Sequence, residues 1–374
     1  LVVRREHEIA NFVSKPFYQV LAHLCLDKNK VNEDEIFKAK WQPSEACQQY
    51  CDEEGRVLHR GLAENVVSRI TNQPAKVVEL DQKQKKQQAP LPYNLSALQI
   101  DAAKAFSMPA QKVLDTCQSL YERHKLITYP RSDNRYLPKE HHKDAARIIA
   151  AITNNEGQVS EACKQADTNK RSKCFNDSKV AAHHAIVPTE KQLRSASLNS
   201  DEQKIYRLIC RHYLIQFYPD YIFNETKVTV EIAGGLFKAA AKQDVSLGFK
   251  TLMGKTELKD EQTLPALEKG QQLHCNQGHV VDKMTTPPAH FTDATLLSAM
   301  TGISRYVKDP EIKKILKETD GLGTEATRAG ILELLFKRRF LERQGKNILA
   351  TATGKALIST LPEQLASPDL TAKW

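Results

Sequence analysis

The sequence predicts a multidomain α and β protein in which a helical block is inserted into a β-rich domain. Three observations carry this expectation. Short runs near the N-terminus, and again Lys227-Val228-Thr229-Val230-Glu231-Ile232, have the composition and the period of two that mark half-buried strands. Between them, from about residue 90 to 222, apolar residues recur at spacings of three and four, as on an amphipathic helix. The strand pattern then resumes, so two β-rich halves flank the helices.

Taken in order, Arg4-Arg5-Glu6-His7-Glu8-Ile9 ends a helix. Phe17, Tyr18, Val20 and Leu24 read as strand, and Trp41-Gln42-Pro43 closes a second extended run. Leu62, Val66, Val67 and Ile70 mark a short amphipathic helix, followed by a strand over Lys76-Val77-Val78-Glu79-Leu80. Residues 81–89, DQKQKKQQA, are polar and read as a linker at a domain boundary. Ser96 is placed to cap a helix over ALQIDAAKAF, and Pro109 opens the next, whose packed face carries Val113, Leu114, Cys117, Leu120 and Tyr121. Ala145 to Ile152 continues as helix, and residues 164–179 read as a solvated basic excursion. Ser200-Asp201-Glu202-Gln203 reads as a capping box for a helix running to about Phe217.

Gly234-Gly235 turns the later hairpin, whose return strand is Leu236 to Lys242. From Thr292 the pattern is helical again, and Ile331 to Phe340 followed by a basic hairpin-like run to Ile348 resembles a winged-helix unit. The domain boundaries that follow are 1–15, 16–89, 90–222, 223–286 and 287–374.

Composition narrows the function. The 374 residues hold 54 Lys plus Arg against 45 Asp plus Glu, and the net charge of +9 favours a polyanionic partner. No apolar run approaches the roughly 20 residues that span a bilayer, and Leu1-Val2-Val3 is too short for a signal peptide, so a cytoplasmic protein without a membrane partner is expected. The eight scattered cysteines read as reduced thiols. Neither Cys47, Cys51 and His59 nor His274, Cys275 and His279 make a four-ligand set at zinc-finger spacing. A GxxxxGK[ST] phosphate loop is absent, so no ATP site is expected. Gly321-Leu322-Gly323-Thr324-Glu325-Ala326 fits GxGxxA superficially, but the stretch before it reads as polar helix, which argues against a nicotinamide site.

The chemistry concentrates in Leu126-Ile127-Thr128-Tyr129-Pro130-Arg131-Ser132-Asp133-Asn134-Arg135-Tyr136. Pro130 pushes Tyr129 out of the α region. On an extended chain Tyr129, Arg131 and Asp133 then point one way, and Pro130 and Ser132 the other. A phenol with a reference pKa of about 10 is a poor nucleophile at neutral pH. A neighbouring guanidinium favours the phenolate and binds phosphate bidentately. This suits tyrosine attack on a phosphodiester, although the spacing alone favours a tyrosine and an arginine at a strand end, one solvated and one packed. The glycine turn capped by Thr324, with Arg328 one turn on, can hold a DNA phosphate through backbone N–H groups.

The full strings decide between these readings. LITYPRSDNRYLP resembles the active-site segment of the type IA DNA topoisomerases, in the Pro-Arg-Ser-Asp version of the bacterial topoisomerase III branch. Ala182-His183-His184-Ala185-Ile186-Val187-Pro188-Thr189 resembles the family's histidine motif, and Gly321 to Arg328 its glycine-threonine motif, in the family's order. The resemblance implies a β-rich arch with an inserted helical catalytic domain and a helical base in a toroidal arrangement. It implies transient cleavage of single-stranded DNA through a 5′-phosphotyrosine, strand passage and religation without ATP, relaxing or decatenating DNA in the bacterial nucleoid. By the same resemblance Tyr129 is the nucleophile, and His183, rather than His184, touches the phosphate that Arg131 holds. Arg4, Arg5, Ser96, Gln99, Ser132, Asp133, Thr324 and Arg328 lie at the DNA, with Asp133 orienting Arg131. Lys308, Lys313, Lys314 and Lys317 occupy the region of the decatenation loop, where a solvated helix is the competing reading.

The resemblance also implies Mg²⁺ held by an Asp-x-Asp-x-Glu motif in a TOPRIM domain. Asn32-Glu33-Asp34-Glu35 and Asp52-Glu53-Glu54 have the wrong spacing. The metal ligands are therefore expected to be absent from this chain, which is then a fragment unable to turn over alone. Partners implied by the family are a RecQ-type helicase and a single-strand binding protein. A tyrosine relaxase or recombinase is disfavoured, because neither AHHA nor Glu140-His141-His142 forms the relaxase His-hydrophobic-His motif and the spread Arg and His pattern of recombinases is absent. The non-enzyme alternative is a single-stranded DNA-binding remnant.

Overall fold

The computed structural model describes residues 1–26, 36–193, 198–254, 262–307, 309–318 and 321–368; Asn32 to Glu35 and Lys308 lie outside them. In chain order the elements are α1 (Val2–Ala10), β1 (Pro16–Cys25), β2 (Phe37–Gln42), α2 (Arg60–Ile70), β3 (Gln73–Gln87), α3 (Leu95–Phe106), α4 (Ala110–Glu122), α5 (Ala145–Asn155), α6 (Ser160–Gln165) and α7 (Ser200–Leu214). They continue with β4 (Tyr221–Ile232), β5 (Gly235–Ser246), β6 (Gln272–Met284), α8 (Asp293–Thr301), α9 (Pro310–Glu318), α10 (Arg328–Lys337), β7 (Leu341–Gln344), β8 (Asn347–Ala350), α11 (Ala352–Thr360) and α12 (Glu363–Ala366).

Two units result. One comprises Phe12–Gln88 and Asp220–Pro287; the other comprises Leu1–Asn11, Ala89–Pro219 and Pro288–Trp374. The helices expected as a catalytic domain and those expected as a base thus belong to the same unit.

The first unit is a closed barrel in the order β1-β2-β5-β4-β3-β6. Alternation sends Val20, Ala22, Leu24, Phe37, Ala39, Val77, Val228, Val230, Ile232 and Phe237 into one core. Burying each of the larger side chains contributes about 1.5–3 kcal/mol. Helix α2 closes against β6 at Gly278, where an added Cβ would come within 3.0 Å of the Ile70 side chain.

The expected linker at residues 81–89 is instead mostly strand. β3 runs to Gln87 and pairs with β4 as far as Gln87↔Tyr221. Its side chains are solvated on both faces, so no apolar alternation betrays it; the backbone ladder and cross-strand pairs such as Lys85–Glu225 at 2.5 Å hold it. Every second amide between Asp81 and Gln87 is therefore expected to exchange with deuterium roughly thirtyfold or more slowly than in a free linker. Uniformly fast exchange would restore the linker.

In the helical unit the caps differ from expectation by a residue or two. Asn94, not Ser96, caps α3, its side chain accepting the Ala97 N–H at 3.0 Å, and Ser96 lies buried within the helix. The capping box of α7 is Asn199 with Glu202. Asparagine and serine are near-equal caps, and the tertiary contacts of each helix start select between them. The excursion at 164–179 is only partly solvated, because Cys174 and Phe175 are buried and Leu137 N–H donates to Cys174 O at 2.8 Å. Helix α1 docks on the C-terminal hairpin, where Glu6 accepts the Ala350 N–H at 2.6 Å.

His212 on α7 packs tilted on Tyr93, ring centroids 3.8 Å apart, with its Nε2 3.9 Å from Asp101 Oδ2. Burial, with Arg135 and Arg211 nearby, pulls its pKa down to about 3. The unfolded chain takes up this proton near pH 6.5, so acidification below that value favours unfolding until the folded ring also titrates. Lowering the pH from 7 to 5 is expected to cost about 2 kcal/mol through this residue. Urea unfolding of His212→Phe should show that much less pH dependence; an unchanged slope would refute the assignment.

Candidate active site

Helix α4 ends at a tight reversal in which Lys125 adopts a left-handed backbone, φ 57°. The chain then runs beside residues 185–189. Thr189 N–H donates to Leu126 O at 2.9 Å, Thr128 N–H to Val187 O at 3.0 Å, and Val187 N–H to the Thr128 hydroxyl at 3.0 Å. This short zipper brings the tyrosine segment and the histidine motif together. The rings of Tyr129 and His183 stack with centroids 5.0 Å apart and planes at 23°, and Tyr121 meets Tyr129 edge-on at 5.9 Å. His184 turns away, packing edge-on against His141 with its Nδ1 2.9 Å from Ala185 O. Burial lowers its pKa, favouring the neutral ring.

Tyr129 is 41% exposed, Arg131 and Asp133 are exposed, and Pro130 and Ser132 are buried. The alternation read from the sequence appears in the exposure, although Pro130-Arg131 forms a turn rather than a strand. Among the described residues no hydrogen bond or ion pair engages the Arg131 guanidinium, so the expected orienting contact from Asp133 is not made. That leaves Arg131 available to an anion.

Four of the other residues expected at the DNA are buried here. Ser96, Gln99, Ser132 and Arg328 are 3%, 0%, 0% and 0% exposed. Gln99 Nε2 donates to Ala110 O at 3.0 Å, and Ser132 Oγ accepts the Asn134 N–H at 3.1 Å. The Arg328 guanidinium donates to Leu322 O, Gly323 O, Ser96 Oγ and Glu325 Oε1 at 2.7–3.0 Å. Sequence patterning cannot separate an arginine that reaches solvent from one that braces a turn.

Arg5 lies over the Phe291 ring and donates to Ala289 O, whereas Arg4 is exposed beside Glu8. Thr324 is exposed, but its N–H is spent on Thr327 Oγ1 at 3.0 Å. Gly321 has φ +87°, and a Cβ there would meet Met300 O at 2.4 Å, so the turn requires glycine. Lys313, Lys314 and Lys317 sit on helix α9 rather than a loop, with Leu316 packed into a small core beneath them.

Sequence reading missed Tyr121 as a neighbour of Tyr129, since its helical spacing marked only a packed face. It also missed Asn94 and Glu325, which anchor the segment from elsewhere in the chain. Hard cations such as Mg²⁺ take carboxylate, carbonyl and water oxygens, whereas the side chains stacked about Tyr129 are an imidazole and a phenol. Among the described residues no three His, Cys, Asp or Glu gather as ligands. These residues do not fit the implied Mg²⁺. Among the described residues no helix is long and apolar enough to cross a membrane.

The whole chain, residues 1–374, matches the sequence profile of the DNA topoisomerase family. It is 53% identical over 380 residues to the DNA topoisomerase 3 of Haemophilus influenzae and 36% identical over 385 residues to that of Bacillus subtilis. Each alignment covers 100% of this chain, but 58% and 50% of those proteins, so the chain spans about half the length of the curated relatives it matches. Full-length topoisomerase I from Thermotoga maritima shares the fold, with a TM-score of 0.67 at 19% identity over 100% of this chain and 56% of that one. The chain belongs to the type IA DNA topoisomerase family, on its bacterial topoisomerase III branch.

Proposed function

We propose that Tyr129 is the nucleophile of a DNA topoisomerase that cleaves and reseals single-stranded DNA through a 5′-phosphotyrosine. The observation that carries this is the exposed Tyr129 ring stacked on His183, with an exposed, unengaged Arg131 two residues on. The Tyr129 oxygen attacks phosphorus, the Oη–P bond forms and the P–O3′ bond breaks. The phenol gives up its proton and the departing 3′ oxygen gains one. Arg131 suits the two non-bridging oxygens of the phosphate, and its charge meets the charge that builds on them. His183 donates to the same group. One phosphodiester replaces another, so resealing is the reverse reaction and needs no ATP.

Strand passage, relaxation and decatenation follow on the same reading, with exposed Lys314 and Lys317 as candidate decatenation contacts beside Lys313 and Lys308. A RecQ-type helicase and a single-strand binding protein are its proposed partners, and the nucleoid its place of action. The Mg²⁺ requirement and the inability of these residues to turn over alone belong to the same proposal.

The test is covalent capture with the complete gene product that carries this chain. Labelled single-stranded oligonucleotide is incubated with and without Mg²⁺, the protein is denatured, and attached DNA is scored. The expected result is protein joined to a 5′ phosphate with release of a free 3′ hydroxyl. Salt-sensitive binding without an adduct under either condition would leave a non-catalytic single-stranded DNA-binding protein.

A further inference from the structure

We propose that Asn94 and Glu325 form a clasp that positions the Tyr129–Asp133 segment, which makes both positioning residues for the cleavage step; the inference rests on Tyr129 being the nucleophile. Glu325 is 7% exposed and reaches the start of α3 from a turn 229 residues later. Its Oε2 accepts the Ser96 N–H at 2.6 Å. Its Oε1 accepts Arg328 Nη1 at 3.0 Å and Asn94 Nδ2 at 3.3 Å. Asn94 Nδ2 also donates to Asp133 O at 3.2 Å, and Leu95 N–H donates to Ser132 O at 3.0 Å. The two carbonyls that directly follow Arg131 are therefore both tied to the first residues of α3, and that helix start is tied to Glu325.

Two features point to placement rather than stability alone. Capping α3 needs only an acceptor, for which serine or aspartate serves as well as asparagine. A carboxylate cannot donate and a serine has a single O–H, whereas the Asn94 amide carries two N–H donors and reaches Asp133 O and Glu325 Oε1 together. A carboxylate at a helix N-terminus is electrostatically favoured. A buried ion pair, however, is often no more stable than an apolar replacement, and its geometry is what it supplies. Cleavage depends steeply on that geometry, because a displacement of about 1 Å can cost about a hundredfold in rate.

The experiment uses the complete gene product and compares wild type, Asn94→Ser, Glu325→Gln and Tyr129→Phe. Asn94→Ser keeps the cap acceptor and the Glu325–Arg328 pair while deleting both amide donations. Glu325→Gln keeps an acceptor for the Ser96 N–H but sets an amide against Arg328. The readouts are the single-turnover rate of adduct formation at saturating oligonucleotide, the dissociation constant, and the folded fraction from circular dichroism at the assay temperature.

The expected result for Asn94→Ser is a rate about tenfold to a hundredfold lower with binding and folded fraction unchanged. Glu325→Gln should fall in the same direction after correction for folded fraction. Cleavage by Asn94→Ser at the wild-type rate, or a loss no larger than the unfolded fraction, would overturn the clasp alone. An adduct that persists in Tyr129→Phe, or none in the wild type, would overturn the nucleophile assignment and the clasp with it.

Discussion

Tyr129→Phe is expected to lower covalent adduct formation by at least about 10⁴-fold, since without the hydroxyl no ester can form. Binding of a single-stranded oligonucleotide should stay within about twofold, because the ring that stacks on His183 and meets Tyr121 is retained. Both halves matter. Denaturing gels measure the first, and fluorescence anisotropy across a salt series measures the second. A surviving adduct would place the nucleophile elsewhere. A collapse of binding would mean that the phenol serves recognition, and the phosphotyrosine reading would fail.

The second large effect is on stability. Arg328→Ala should cost about 3–5 kcal/mol, because it leaves the Glu325 carboxylate buried without its cation and removes donors from Leu322 O, Gly323 O and Ser96 Oγ. Arg328→Lys should recover only part of this, since an ammonium cannot spread its donors over four acceptors in a fixed plane. Urea denaturation followed by circular dichroism measures the difference. An unchanged midpoint with weakened, less salt-sensitive DNA binding would return Arg328 to the phosphate-contacting role its motif suggested.

Local rules made much of the chain legible. The spacing of Val113, Leu114, Cys117 and Leu120 specified the buried face of α4, and the alternation in Lys227 to Ile232 specified β4 with its hairpin partner. Pro130 kept Tyr129 out of the helix. The motif strings identified the family that the comparisons establish.

What lay beyond the sequence had one common cause: the deciding partner sits far along the chain. Residues 81–87 carry no apolar signal, and only the ladder to β4 makes them strand. Ser96, Gln99, Ser132 and Arg328 are polar, which reads as exposure, yet each makes a hydrogen bond inside the fold and is buried there. The sequence by itself determined most of the helices and the apolar strands, because those depend on neighbours within a turn or two. Only the tertiary structure decided that His183 rather than His184 stacks on Tyr129, and that Glu325 reaches the start of α3. Such contacts form when the packing of whole elements closes long loops, and no local period records them.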